Sequence, residues 1–185
     1  MTAPAERLRL FIAIVPPLEV ARHLHRSLRS LDLPPCRPTP VEQVHMTLLF
    51  LGERPARDLE TIQAQVARAV GPVRPFELRV QCLRTLPERG AARLVAAITN
   101  APPALLELHR TLNNDLGHAT EPSRDRFLPH LTLARLRSPV RGVSIDVPLE
   151  ADAFRVDEIV LVRSQLRPEG AVHTPILRAA LAART

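Results

Sequence analysis

Two short stretches, His45-Met46-Thr47-Leu48 and His130-Leu131-Thr132-Leu133, each place an imidazole and a hydroxyl two residues apart. An imidazole titrates near neutral pH and can give or take a proton; a hydroxyl can donate a hydrogen bond to an anionic oxygen. Both copies lie in apolar, alternating runs, residues 44–51 and 130–136. Successive side chains of a strand face opposite ways, so His45 shares a face with Thr47 and His130 with Thr132. Met46, Leu48, Leu131 and Leu133 then point into a core. With 7 His in 185 residues, random order predicts about 0.07 copies of His-x-Thr-Leu. One such histidine reads as a core residue; two with the same neighbours read as a pair.

Two pairs facing each other form a four-pronged site for one anion. A neutral imidazole takes a proton from water while a protonated one gives a proton to the leaving oxygen, each transfer worth about 10²- to 10⁴-fold in rate. The two Thr hydroxyls stabilise the charge that builds up on the non-bridging oxygens. In-line displacement at phosphorus needs an acid and a base on opposite sides, and a 2′,3′-cyclic phosphate, a strained diester, suits such a site without a metal.

The surrounding elements repeat in order. Residues 8–15 read as a mostly buried strand stopped by Pro16-Pro17, followed by a helix with Leu18, Ala21, Leu24, Leu28 and Leu31 on one side. A proline-bearing loop, residues 32–40, leads to the first motif. The same succession returns with a strand at 93–99, Pro102-Pro103, and a helix bearing Leu105, Leu108, Leu112 and Leu116. The polar loop 118–129, with Arg124 and Arg126, delivers the second motif. His45 falls 28 residues after Pro17, and His130 falls 27 after Pro103. The chain thus reads as two diverged strand–helix–strand lobes about an approximate twofold, which brings the motif strands together at the centre. Between them a helix carries Leu59, Ile62, Val66 and Val70 ahead of Gly71, and strands follow at 76–83, 143–147, 154–163 and 176–182. Alternating strands and helices also permit a parallel sheet. The strand-rich ends and the duplication favour α+β: a bilobed, pseudo-twofold pair of mainly antiparallel sheets, helices outside and a cleft between. Residues 1–185 are expected to form one domain.

Composition removes several chemistries. All 25 basic residues are Arg, giving net charge +6; guanidinium suits phosphate, although a GC-rich genome would give the same bias. Without Lys there is no lysyl-adenylate, Schiff base or phosphate-binding loop ending in Gly-Lys. Trp and Tyr are absent, so stacking on a base falls to Phe, His or Arg. Cys36 and Cys82 lack metal-ligand spacing and read as free thiols of a cytoplasmic protein. His23 and His25, two apart, cannot share a helix face to bind a metal, and His109 reads as structural. No apolar run is long enough to span a bilayer.

His45-Met46-Thr47-Leu48-Leu49-Phe50-Leu51-Gly52 and Pro129-His130-Leu131-Thr132-Leu133-Ala134-Arg135 resemble the paired signatures of the two-histidine (2H) phosphoesterases, RNA 2′,3′-cyclic phosphodiesterase / 2′-5′ RNA ligase branch. Arg9-Leu10-Phe11-Ile12-Ala13-Ile14 is similar to that branch's first strand, and Ser164-Gln165-Leu166 to its C-terminal segment. The resemblance implies metal-independent opening of the cyclic phosphate to a 2′-phosphomonoester. His45 would be proton donor and His130 acceptor, with Thr47 and Thr132 holding phosphate. The sequence itself is symmetric and does not assign acid and base. The resemblance also implies no cofactor and a partner that is RNA or a nucleotide ending in a 2′,3′-cyclic phosphate; a monomer is the expectation for the chain. One departure is His173, where relatives often carry Tyr.

Phe50 and Arg135 both lie five residues beyond their histidines. In similar proteins these positions contact base or phosphate. Strict alternation turns an odd offset to the opposite face, and only a bulge restores it. Phe11, the third binding candidate, sits in a strand that reads as buried. Three rival readings remain. Ligation through a 2′-5′ bond keeps the site and reverses the reaction. A non-catalytic RNA-end binder keeps the site and loses turnover. A metallohydrolase using both motif histidines lacks a second ligand in either motif.

Overall fold

A computed structural model describes residues 6–117, 127–149, 153–168 and 170–182. The first unit is built as its sequence dictates. Strand β1 (Arg7–Ile14) alternates between two destinations: Leu8, Leu10, Ile12 and Ile14 enter the main core, while Phe11 and Ala13 join a small cluster on the opposite face. Pro17 closes the strand run and accepts the first helical hydrogen bond, Ala21 N–H to Pro17 O at 3.1 Å. Helix α1 (Leu18–Arg29) then buries Val20, Ala21, Leu24 and Leu28. After a short strand β2 (Cys36–Pro38) comes the first motif strand, β3 (Met46–Pro55), antiparallel to β1.

Helix α2 (Leu59–Val70) follows, then β4 (Phe76–Leu86) and β5 (Ala92–Thr99). Pro103 occupies the first turn of α3 (Pro103–Leu116), whose Leu105, Leu108, Leu112 and Leu116 are all buried. The second motif strand, β6 (His130–Val140), lies antiparallel to β5. Then come β7 (Asp146–Pro148), β8 (Ala153–Val156), β9 (Glu158–Arg167) and β10 (Gly170–Ala180). One sheet has the order β10-β9-β1-β3; the other has β2-β6-β5-β4-β7, with β8 also paired to β4. Every pairing is antiparallel. The architecture is the expected α+β pair of sheets, and the parallel alternative is not realised.

A single apolar cluster joins the inner faces of both sheets to all three helices. Among the described residues the opposite faces carry no helix and two small clusters, Phe11–Ala13–Val160–Val162 in the first sheet and Cys82–Leu86–Ala96–Ile98 in the second. The motif strands β3 and β6 adjoin where the sheets meet. Each pairs with the strand preceding its own helix, which is the repeat seen in the sequence.

Several elements differ from the sequence reading. Residues 36–38 form an edge strand on β6 rather than loop, with Thr39 N–H to Leu133 O at 2.8 Å and Arg137 N–H to Pro35 O at 2.9 Å beside it. The expected strand 154–163 is two strands: β8 pairs with β4 in the second sheet and β9 with β1 in the first, so the chain changes sheets at Asp157. The last strand begins at Gly170 instead of 176, because β10 forms a long hairpin with β9. The strand expected at 143–147 is displaced to 146–148. Loop residues 118–126, including Arg124 and Arg126, lie outside the described residues.

Candidate active site

His45 immediately precedes β3 rather than lying within it, and His130 is the first residue of β6. Both rings are fixed in the same way. The Nδ1 of His45 lies 2.7 Å from Gln43 O, and that of His130 lies 2.8 Å from Leu128 O, in each case the carbonyl two residues back. A carbonyl only accepts, so Nδ1 must carry the hydrogen. That tautomer leaves the lone pair of each neutral ring on Nε2. The second histidine is steadied further by Thr99 N–H to Pro129 O at 3.2 Å, and by the stacking of His109 on Phe127, ring centroids 4.0 Å apart.

The threonines occupy matching sites. Thr47 pairs across the sheet with Ala13, and Thr132 with Ala96, both of which lie on the helix-free faces. The small methyl groups leave room in front of each hydroxyl. Immediately after each Thr the ladder slips. Thr47 faces Ala13 and Leu49 faces Ile12, leaving Leu48 without a partner; Thr132 faces Ala96 and Ala134 faces Val95, leaving Leu133 without one. Both extra residues stand three positions after the motif histidine. Such a bulge restores an odd offset to the starting face. Phe50 therefore pairs with Phe11 on the helix-free face, and Arg135 pairs with Leu94 on the corresponding face of the other sheet.

The rings around His45 form a cluster. Phe11 lies 4.9 Å from His45, 6.1 Å from Phe50 and 5.0 Å from His173, and His173 stands edge-on to His45 at 5.1 Å. Phe11 is buried, at 4% exposure, while Phe50 is 66% exposed. Phe11 thus forms a floor and Phe50 a rim. A pocket of about 90 Å³ opens here, lined by Phe11, Gln43, His45, His173 and Arg178 among others. A larger pocket of about 180 Å³ between Leu51, Arg54, Ile62 and Leu116 contains none of these residues.

Burial, followed by the positive charges of Arg135 and His130, holds His45 below its ordinary value; the Gln43 carbonyl acts in the opposite sense. Burial, with the charges of His45 and Arg135, lowers His173 to about 4. Its Nδ1 is buried without a partner. His173 was visible in the sequence only as a departure from Tyr, with nothing to show that its ring meets His45. The carbonyls of Gln43 and Leu128 carry no side-chain signal at all.

Among the described residues no three His, Cys, Asp or Glu side chains gather as metal ligands, and no helix is long and apolar enough to cross a membrane. Cys36 and Cys82 are free thiols.

Residues 15–167 match the family model of the 2′-5′ RNA ligase superfamily. An RNA 2′,3′-cyclic phosphodiesterase of Thermus thermophilus is 34% identical over 175 residues, covering 90% of this chain and 87% of the relative. A crystal structure from the same organism superposes with TM-score 0.81 at 30% identity, over 96% of this chain and 100% of that one. Escherichia coli LigT complexed with 3′-AMP superposes with TM-score 0.79 at 27% identity, again over 96% and 100%. With a family model matched over most of the chain, a relative 34% identical along nearly its whole length and a fold shared with these structures, this chain belongs to the 2′-5′ RNA ligase superfamily.

Proposed function

We propose that the chain hydrolyses RNA 2′,3′-cyclic phosphate ends to 2′-phosphomonoesters, with His45 as proton donor, His130 as acceptor and no metal. The observation that carries this reading is the matched pair of Nδ1–H to carbonyl hydrogen bonds, which aims one Nε2 from each lobe. His130 Nε2 takes a proton from water as the oxygen attacks phosphorus. The bond from phosphorus to O3′ breaks, and His45 Nε2–H delivers its proton to that oxygen, leaving a 2′-phosphate and a 3′-hydroxyl. Thr47 and Thr132 donate to the two non-bridging oxygens.

In the free protein His45 is held towards its neutral form, which by itself suits a base. The substrate's negative charge works against this: a phosphate beside His45 favours the imidazolium, opposing the burial and the Arg135 charge that lower it. The donor role therefore depends on the bound anion. Phe50 offers a face for the base, Phe11 supports the ring cluster beneath, and Arg135 contacts the phosphate. One chain supplies both imidazoles, so a monomer suffices, and the free thiols suit a cytoplasmic protein.

The test is kcat/KM against pH on a nucleoside 2′,3′-cyclic phosphate. A bell-shaped profile is expected, with one limb lost in His45→Gln and the other in His130→Gln. A flat profile between about pH 5 and 8 contradicts paired action.

A further inference from the structure

Arg37 stands in the edge strand β2 directly opposite Arg135 on β6. Paired residues of adjacent strands project to the same side, so both guanidinium groups lie on the helix-free face of the second sheet. Like charges placed opposite each other weaken a sheet, and proteins ordinarily relieve this with a carboxylate. Among the described residues none is supplied here. Among the described residues neither Arg37 nor Arg135 makes a hydrogen bond or an ion pair. Arg84, by contrast, lies on the same face opposite Ala96 and is clamped by Asp146 at 2.8 Å and Glu88 at 2.7 Å.

The Arg37 guanidinium is nevertheless held in place. It packs against Gly170 at the start of β10, which belongs to the other sheet. A Cβ at Gly170 would lie 2.6 Å from Nη2, 3.0 Å from Cζ and 3.1 Å from Nη1. The Gly170 φ of +132° is one that side-chain-bearing residues rarely adopt. The hairpin thus packs closely on a cation whose charge no described residue answers. Arg135, its neighbour, bears electrostatically on His45 and His173, so the pair of cations leads outward from the catalytic imidazoles.

We propose that Arg37, side by side with Arg135, binds a second phosphate, the one on the 5′ oxygen of the nucleotide whose cyclic phosphate is opened. This deepens the proposed function and rests on it. The second phosphate can belong to a phosphodiester continuing the RNA chain or to a free 5′-phosphate; guanidinium recognises both through the same oxygens.

The experiment compares kcat/KM for three substrates of one base: the nucleoside 2′,3′-cyclic phosphate, its 5′-phosphorylated form, and a tetraribonucleotide ending in the same group. In the wild type the second and third are favoured over the first. Arg37→Gln is expected to lower that preference about tenfold, and Gly170→Ala to lower it in the same direction by displacing the guanidinium. Loss of preference for both phosphorylated substrates supports recognition of the phosphate itself. Loss for the tetranucleotide alone supports a chain phosphodiester as the ligand. An unchanged preference in Arg37→Gln overturns the proposal.

If the wild type turns over none of the three, the proposed function fails and Arg37 is judged by binding. Anisotropy of a labelled tetraribonucleotide with a terminal phosphate is then followed against salt. A slope smaller by about 0.7 in Arg37→Gln upholds the second phosphate contact, and an identical slope refutes it.

Discussion

At the scale of single residues, the chemistry depends on which nitrogen of each motif histidine is free. The Gln43 and Leu128 carbonyls fix the answer by occupying Nδ1. His45→Gln and His130→Gln are each expected to lower kcat by about 10²- to 10⁴-fold with a smaller change in KM. The direction of the His45 shift gives a second prediction, checked by NMR titration of its ring. In the free protein it should titrate below 6.5, and inorganic phosphate should move it upward. Failure to move would remove the anion-dependent donor. Phe50 belongs to the rim, and truncating an exposed ring leaves no internal cavity. Phe50→Ala should therefore raise KM about 5- to 100-fold if the ring stacks on a base, with an unchanged urea midpoint. A fall in the midpoint without a change in KM would assign the ring to stability instead.

At the scale of elements, the two motif strands work because each is bulged at the same place. The alternation of polar and apolar residues was readable and put His45 with Thr47 and His130 with Thr132. Nothing in Leu48 or Leu133 announces a bulge, since both are apolar residues in apolar runs and both remain buried. For that reason the faces of Phe50 and Arg135 stayed open until the register was known. β2 was hidden for a related reason: three residues among prolines carry no periodicity, and only the edge of β6 gives them a partner. The division of residues 154–163 between two sheets was hidden too, because burial on either sheet gives the same alternation. α3 was the most legible helix, since Pro102-Pro103 at one end, Gly117 at the other and a leucine stripe between are local signals; α1 offered its Pro and its stripe, and α2 its stripe and Gly71. Gly52, with φ +69°, lies beside the second slip of β3 at Leu51. Forcing a side chain into that conformation costs about 1–2 kcal/mol, so Gly52→Ala should lower the urea-unfolding free energy by that amount. An unchanged midpoint would show that the strand relaxes there without cost.

At the scale of the whole molecule, one core carries both sheets and leaves their helix-free faces for chemistry. The repeated order of elements made this legible before any coordinate, but the encounter of His173 with His45 required the β9–β10 hairpin to be placed. That encounter has a global consequence. His173 and His45 bind protons less readily folded than unfolded, so below pH 6.5 the unfolded chain holds the extra protons. Stability from these groups is therefore fully present above pH 6.5 and falls as pH drops through that value towards about 4, where His173 charges. Urea midpoints at pH 7 and pH 4.5 should differ in that sense, and His173→Phe should narrow the difference. An equal difference in the variant would locate the acid sensitivity elsewhere.

The central claim is that two imidazoles, unaided by a metal, open a cyclic phosphate on its 3′ side. Phosphorus NMR of a nucleoside 2′,3′-cyclic phosphate incubated with the protein in excess chelator tests it most directly. The account predicts a single product, the nucleoside 2′-monophosphate, formed at the rate seen without chelator; a 3′-monophosphate, or loss of turnover in chelator, would contradict it.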